Sequence, residues 1–357
     1  MIQNVTIYMI CAFVVAFAFA FAFTPVATHI AFKIGAVDVP KDNRRMHKRP
    51  IPRLGGLAII FGFVVALMCV NTSFNREIGA TLVGAAIIAV MGIVDDCKDL
   101  NAKLKFAIQI IAALVVIYGG NVKITVFTNP NILSPDPYLV MPEWASVILT
   151  VLWIVFITNA VNFIDGLDGL AAGVSAIMSV SLVFISMRTG EHAIAIVGTA
   201  LMGSCFGFLP YNFNPAKIFM GDTGSTFLGF MLASLSVQGV FKSYAVISFA
   251  VPLLILGLPL FDAVFAMLRR ILTGKNPMSA DRGHLHHRLI DMGFSQKQTV
   301  FILYAISAVL GVSAVLLAES GAMRAILLIM CVLIFILIAS FLIKNTAGDD
   351  TQDNGKE

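Results

Sequence analysis

The chain has 357 residues, 59% of them hydrophobic and only 12% charged, with a mean hydropathy of +0.91 and a formal net charge of +4. Soluble domains carry about 25% charged residues, so this composition excludes a water-soluble globule, and no nucleic-acid partner is expected. Membrane lipid is the natural surrounding.

Apolar runs long enough to cross about 30 Å of hydrocarbon predict an all-α, polytopic transmembrane helical bundle of about eleven spans. They fall near 4–32, 54–71, 78–94, 104–119, 144–161, 169–187, 192–210, 225–241, 245–270, 299–317 and 322–343. Residues 1–344 then form one integral membrane unit. The polar stretch 345–357 lacks hydrophobic periodicity and reads as a disordered tail. The first 32 residues hold no Asp, Glu, Lys or Arg; without a basic n-region they read as a retained first helix, not a signal peptide. Five cysteines are scattered without metal-like or CxxC spacing and are expected as buried thiols.

Eleven spans divide the connections into two sets. The loops near 33–53, 95–105, 162–168, 211–224 and 271–298, together with the flanking helix ends and the tail, hold 19 of the 24 Lys and Arg residues. Cationic loops mark the cytoplasmic side, so the N-terminus is expected outside and the C-terminus inside. Every chemically distinctive segment falls on that cytoplasmic set.

The first loop, VPKDNRRMHKRPIPRLGG, is what the positive-inside rule requires anyway, and it also suits an anionic lipid. The next, GIVDDCKDL, ends the third helix with Asp95, Asp96 and Asp99. Adjacent carboxylates repel and resist desolvation, so either a shared Mg²⁺ offsets the cost or they cap a solvated helix end. In NAVNFIDGLDGLAAG, the residues Asn159, Asn162, Asp165 and Asp168 recur every third position and are expected on one helix face. They offer partners for a nucleobase, a ribose or a sugar, or else a hydrated helix–turn–helix cap. In NFNPAKIFMGDTGSTFLG, Gly221, Gly224 and Ser225 can present backbone amides to an anion such as a diphosphate. Asp222 would repel phosphate unless a metal lay between them, which makes it the expected Mg²⁺ ligand, and Phe219 could stack on uracil. A plain helix cap by Asp222 or Thr223 is the competing reading. Asp262 is an isolated acid in the ninth helix with no assigned role. Last, MSADRGHLHHRLIDMGFS gathers His284, His286 and His287 beside Arg282 and Arg288. The arginines favour a diphosphate over zinc, with a headgroup-binding loop as the alternative.

In this order, DDCKD, NFIDGLDGL, GDTGS and HLHHRL closely resemble the polyprenyl-phosphate N-acetylhexosamine-1-phosphate transferase family. The resemblance runs from about residue 35 to 295. HLHHRL resembles the branch that starts O-antigen, enterobacterial common antigen and teichoic acid synthesis, whereas the lipid I branch carries three consecutive histidines; here Leu285 interrupts them. The resemblance implies Mg²⁺ (with Mn²⁺ as an alternative ion), UDP-GlcNAc as donor, undecaprenyl phosphate as acceptor and a multi-pass protein of the cell membrane with a cytoplasmic site. A homodimer is compatible with it. It also implies that Asp95 and Asp96 form the catalytic acidic pair, with Asp95 as base, and that Asp222 holds the metal. Asn159, Asn162, Asp165 and Asp168 would line the nucleotide side, with Phe219 against the uracil. Lys105 and the cluster of His284, His286, His287, Arg282 and Arg288 would hold phosphates and sugar. The rival readings are a secondary transporter with cytoplasmic-side carboxylates, and a glycosyltransferase that releases UDP instead of UMP.

Overall fold

A computed structural model describes residues 2–39, 49–70, 75–128, 138–241, 250–272, 274 and 283–319. The predicted helix at 322–343, the tail, Arg282 and Cys331 lie outside them. The elements in chain order are α1 (Ile2–Ile34), β1 (Val37–Asp38), β2 (Ile51–Pro52), α2 (Gly56–Cys69), α3 (Arg76–Lys98), α4 (Ala102–Leu114, continued by a π turn to Gly119), β3 (Val126–Thr128) and β4 (Tyr138–Val140). There follow α5 (Glu143–Phe163), α6 (Leu170–Thr189), α7 (His192–Asn212), α8 (Gly221–Ser236, with a π turn to Phe241), α9 (Ala250–Ile255), α10 (Gly257–Leu272), α11 (Leu285–Asp291) and α12 (Gln296–Glu319).

Seven helices among the described residues are long and apolar enough to cross a membrane, from α1 to α12. The predicted helices within the described residues are all present as helix, but 245–270 is broken into α9 and α10 around Leu256, just before Gly257 and Pro259. Three features are too short for periodicity to reveal: α11 and the antiparallel pairs β1–β2 and β3–β4.

Inside a lipid-surrounded bundle the helices gain little from excluding water from one another, so close packing of small residues holds them. The inward stripe of α1 is alanine: Ala12, Ala16, Ala20, Ala27 and Ala31 are fully buried. Gly203 and Gly207 of α7 pack on the α1 backbone at Phe13 and Phe17, and Gly62 of α2 packs at Ala16 and Ala20. The core is α8, buried along nearly its whole length. Gly56 of α2 meets Gly224, Gly92 of α3 meets Thr223, and Gly229 meets the α5 backbone at Thr158; a Cβ at any of these glycines would strike backbone. The cysteines depart from expectation. Among the described residues Cys11, Cys69 and Cys97 are exposed and only Cys205 is buried, because in a membrane bundle the outward face of a helix can be as apolar as the inward one.

The segments that carry the motifs meet at one end of the bundle. There Phe219 N donates to Pro52 O (2.8 Å), and Gly55 and Gly56 donate to Phe219 O and Met220 O. At the other end Arg76 Nε reaches Gly119 O (2.6 Å) and Lys123 pairs with Glu143. Helices that alternate direction therefore bring the polar motifs together although more than a hundred residues separate some of them.

Candidate active site

Asp95 and Asp96 are consecutive in the last turn of α3, so about 100° of helical rotation points them at different neighbours. Asp95 accepts from Lys105 Nζ (2.9 Å) and from the Leu100 amide (2.7 Å). Lys105, in the first turn of α4, also donates to Asp222 Oδ2 (2.9 Å). Asn162 donates to Asp222 Oδ1 (3.0 Å) and to Ser225 Oγ (2.8 Å). One chain of bonds thus joins the ends of α3, α4, α5 and α8.

Asp96 turns instead to the start of α8. Its Oδ1 accepts from the Asp222 amide (2.9 Å), and its Oδ2 accepts from the Thr223 amide (2.9 Å) and hydroxyl (2.6 Å). The residue before α8 supplies no side-chain cap, so a carboxylate from another helix satisfies these otherwise unpaired donors and complements the helix dipole. Gly221 makes this approach geometrically possible. Its φ is +71°, and a Cβ there would collide with the Arg53 carbonyl and the Asp96 carboxylate. The anion expected at this helix start is therefore the protein's own Asp96, which occupies the amides of Asp222 and Thr223.

The Asn/Asp series does not share one face. Helix α5 ends at Phe163, so Asp165 and Asp168 stand on the following turn. Asn159 points into the bundle, donating to Gln109 Oε1 (2.6 Å) and Val155 O (2.7 Å). Asp168 holds the α7–α8 connection, accepting from Asn214 Nδ2 (2.9 Å) and the Ala216 amide (3.0 Å). Asp165 has no hydrogen-bond partner for its carboxylate among the described residues. Burial, with the charges of Asp222, Asp96 and Asp168, pushes its pKa up to about 8.

The histidine segment is equally divided. Of its described residues only His287 lines the cavity beside Asp165 and Asp222. His286 is 2% exposed, and its ring presses on Gly166 so closely that no Cβ fits there. Burial, then the neighbouring His287, pushes the His286 pKa down to about 3, so that ring is neutral near pH 7. His284 Nδ1 lies 2.8 Å from Asp262 Oδ2. The Arg288 guanidinium sits 4.9 Å from the Phe265 ring centre, a cation–π contact between two residues that do not line the cavity.

The cavity encloses about 980 Å³, within the range of pockets that enclose a small ligand. Asp96, Asn162, Asp165, Asp168, Asp222 and Phe219 line it, and Arg49, Arg53 and Lys217 add cations from other segments. Arg53 donates to Asp99 Oδ1 (2.9 Å) and to the Asp96 carbonyl (3.2 Å). The sequence reading did not single out Arg49, Arg53 or Lys217. Arg49 and Arg53 belong to a loop whose positive charge membrane topology already explains, and Lys217 stands in a segment read through Phe219 and Asp222.

Among the described residues no three His, Cys, Asp or Glu side chains form a ready-made metal cage. Mg²⁺ keeps several waters and takes one or two carboxylates plus substrate phosphates. Asp222 and the unpartnered Asp165 on the same cavity wall match such a donor set.

Comparison with known proteins gives the same direction. The model of glycosyl transferase family 4 matches residues 78–240. The chain is 41% identical over 339 residues to a protein of Bacillus subtilis (strain 168), the probable undecaprenyl-phosphate N-acetylglucosaminyl 1-phosphate transferase, covering 95% of this chain and 93% of that one. It is 35% identical over 302 residues to the decaprenyl-phosphate N-acetylglucosaminephosphotransferase of Mycobacterium leprae (strain TN), covering 77% and 75%. It is 29% identical over 304 residues to the undecaprenyl-phosphate alpha-N-acetylglucosaminyl 1-phosphate transferase of Escherichia coli O157:H7, covering 82% and 79%. With its membrane-spanning helices and its convergent acidic motifs, the chain belongs to the family of polyprenyl-phosphate N-acetylglucosamine-1-phosphate transferases and is a phosphotransferase.

Proposed function

We propose that the protein transfers GlcNAc-1-phosphate from UDP-GlcNAc to undecaprenyl phosphate at the cytoplasmic face, releasing UMP and starting a cell-envelope glycopolymer. The observation that carries this reading is the bonded series Asp95–Lys105–Asp222–Asn162, whose last two members line a cavity of about 980 Å³. An acceptor phosphate oxygen attacks the β-phosphorus of UDP-GlcNAc, and the bond from that phosphorus to the bridging oxygen of the diphosphate breaks. UMP departs with the electron pair.

The acceptor is largely ionised near neutral pH, so the barrier lies in bringing anions together, and positioning with charge neutralisation is the main demand. Lys105 supplies a fixed cation between Asp95 and Asp222, while Arg49, Arg53 and Lys217 supply others around the diphosphate. Asp95 accepts a residual acceptor proton and keeps Lys105 in place. Both its oxygens already receive hydrogen bonds, which lowers their nucleophilicity and favours direct displacement over an acyl-phosphate intermediate. Asn162, Asp165 and Phe219 orient the nucleotide. Asp222, with Asp165 facing the same space, would hold Mg²⁺, which when bound neutralises charge on the diphosphate.

The test is incubation of purified protein with radiolabelled UDP-GlcNAc, undecaprenyl phosphate and Mg²⁺, following labelled lipid and free nucleotide. Labelled lipid with UMP, lost on chelation of the metal, is expected. Labelled lipid with UDP would make the protein a glycosyltransferase. Absence of turnover with UDP-GlcNAc and other UDP-sugars would restore the transporter reading.

A further inference from the structure

A buried acid is costly unless it is paired and hydrogen-bonded. Asp262 is such an acid, 3% exposed in α10, and it lies outside the cavity lining. Its two oxygens are used on one target. Oδ2 meets His284 Nδ1 at 2.8 Å, and Oδ1 accepts from the Leu285 amide at 2.6 Å. Helix α10 grips the same segment a second time, since Gly283 lies against the Arg269 guanidinium with no space for a Cβ.

The held segment needs outside support. Helix α11 has seven residues and no side-chain cap of its own, and a helix that short is not stable alone. From Asp262 a line of rings leads to the cavity. His284 stacks on His286 with centroids 5.8 Å apart, His286 meets His287 at 4.3 Å, and His287 lines the cavity wall. His286 also presses on Gly166, in the turn that carries Asp165 and Asp168.

We infer that Asp262 is a positioning residue of the transfer reaction: it holds the His284–His287 segment from behind and thereby sets His287 and the Asp165–Asp168 turn against the nucleotide sugar. An ionised carboxylate only accepts, so His284 Nδ1 carries a proton in both charge states of the ring. Asp262 therefore fixes the ring's tautomer as well as its place. Asp95, which takes the acceptor's proton in the reaction proposed above, and its partner Lys105 lie outside the lining that His287 and the Asp165–Asp168 turn share, so the effect falls on the nucleotide sugar and spares the lipid. The kinetic consequence rests on the function proposed above, and the tautomer rests on geometry alone.

The experiment compares full-length wild type, Asp262→Ala and Asp262→Asn by steady-state kinetics and by nitrogen NMR with isotope-labelled histidine, His284→Gln assigning the signal. In Asp262→Ala the KM for UDP-GlcNAc is expected to rise about tenfold, with the KM for undecaprenyl phosphate unchanged. The His284 Nδ1 signal is expected to leave the protonated position. Asp262→Asn keeps volume and an acceptor for the Leu285 amide, so it should show the NMR change with a smaller rise in KM. It also carries the comparison should Asp262→Ala fail to fold. An unmoved Nδ1 signal, or equal rises in both KM values, overturns the inference. An inactive wild type would sink the proposed reaction instead, and the NMR comparison would still decide the role of Asp262.

Discussion

In the acidic cluster Asp95, Lys105, Asp222 and Asn162 bond directly to one another across four helices, whereas on the histidine wall the ring of His287 reaches the cavity and its neighbours are gripped from behind. The first arrangement has no slack, because removing one charged member strands its partners with buried, unpaired groups. The second passes through stacked rings and a short helix, where packing can absorb part of a change. Motif residues in one region thus act by direct contact, and in the other mostly by support.

Four substitutions test how far that contrast extends. The largest effect is expected from Asp222→Asn, which removes the charge shared by Lys105 and the proposed Mg²⁺. UMP release should fall about a thousandfold, the scale of losing a central electrostatic group. Next is Asp96→Asn, which offers one acceptor to donors that now share two carboxylate oxygens. Thermal unfolding should show a loss of about 1–3 kcal/mol, and UMP release should drop about a hundredfold because Asp222 moves with the start of α8. An Asp96→Asn protein of unchanged stability would mean that the cap is not what this carboxylate contributes.

The third concerns His286 and pH. Its folded pKa of about 3 lies below the usual value of 6.5, so the unfolded chain binds the extra proton first. Stability from this ring is fully present above pH 6.5 and is lost as pH falls towards 3, by about 2 kcal/mol at pH 5. The unfolding curve of His286→Gln should therefore fall less steeply than that of the wild type between about pH 6.5 and 5. Asp165 is present in both proteins and cancels in the difference. The smallest effect belongs to Asp99→Asn, because the Asp99 side chain is 85% exposed in its pair with Arg53. Turnover should stay within about twofold, and high salt should reduce wild type to the same level.

Much of the fold was legible because uninterrupted apolar runs have few solutions in lipid. The break between α9 and α10 was not, although Gly257 and Pro259 stand beside it, since each residue is tolerated singly in a membrane helix. The candidate site was legible as a set of residue types, including the paired Asp95 and Asp96, the Asp222 loop and the three histidines. Their division of labour was hidden. A spacing of three suggested one face for Asn159, Asn162, Asp165 and Asp168, but the helix ends inside the series and its first member faces Gln109. Asp262 stood out as a lone acid in an apolar helix, yet its partner lies 22 residues further along the chain.

By itself the sequence determined a membrane-embedded bundle, the gathering of polar motifs in alternate loops and the family to which those motifs belong. These depend on composition and order along the chain, which hydropathy and charge read directly. Only the tertiary structure decided that Asp95 bonds Lys105 while Asp96 caps α8, that one histidine of the segment lines the cavity, and that Arg53 and Lys217 join the site. Such assignments turn on which helix packs beside which, and on the roughly 100° between successive residues that sends neighbours in sequence to different partners in space.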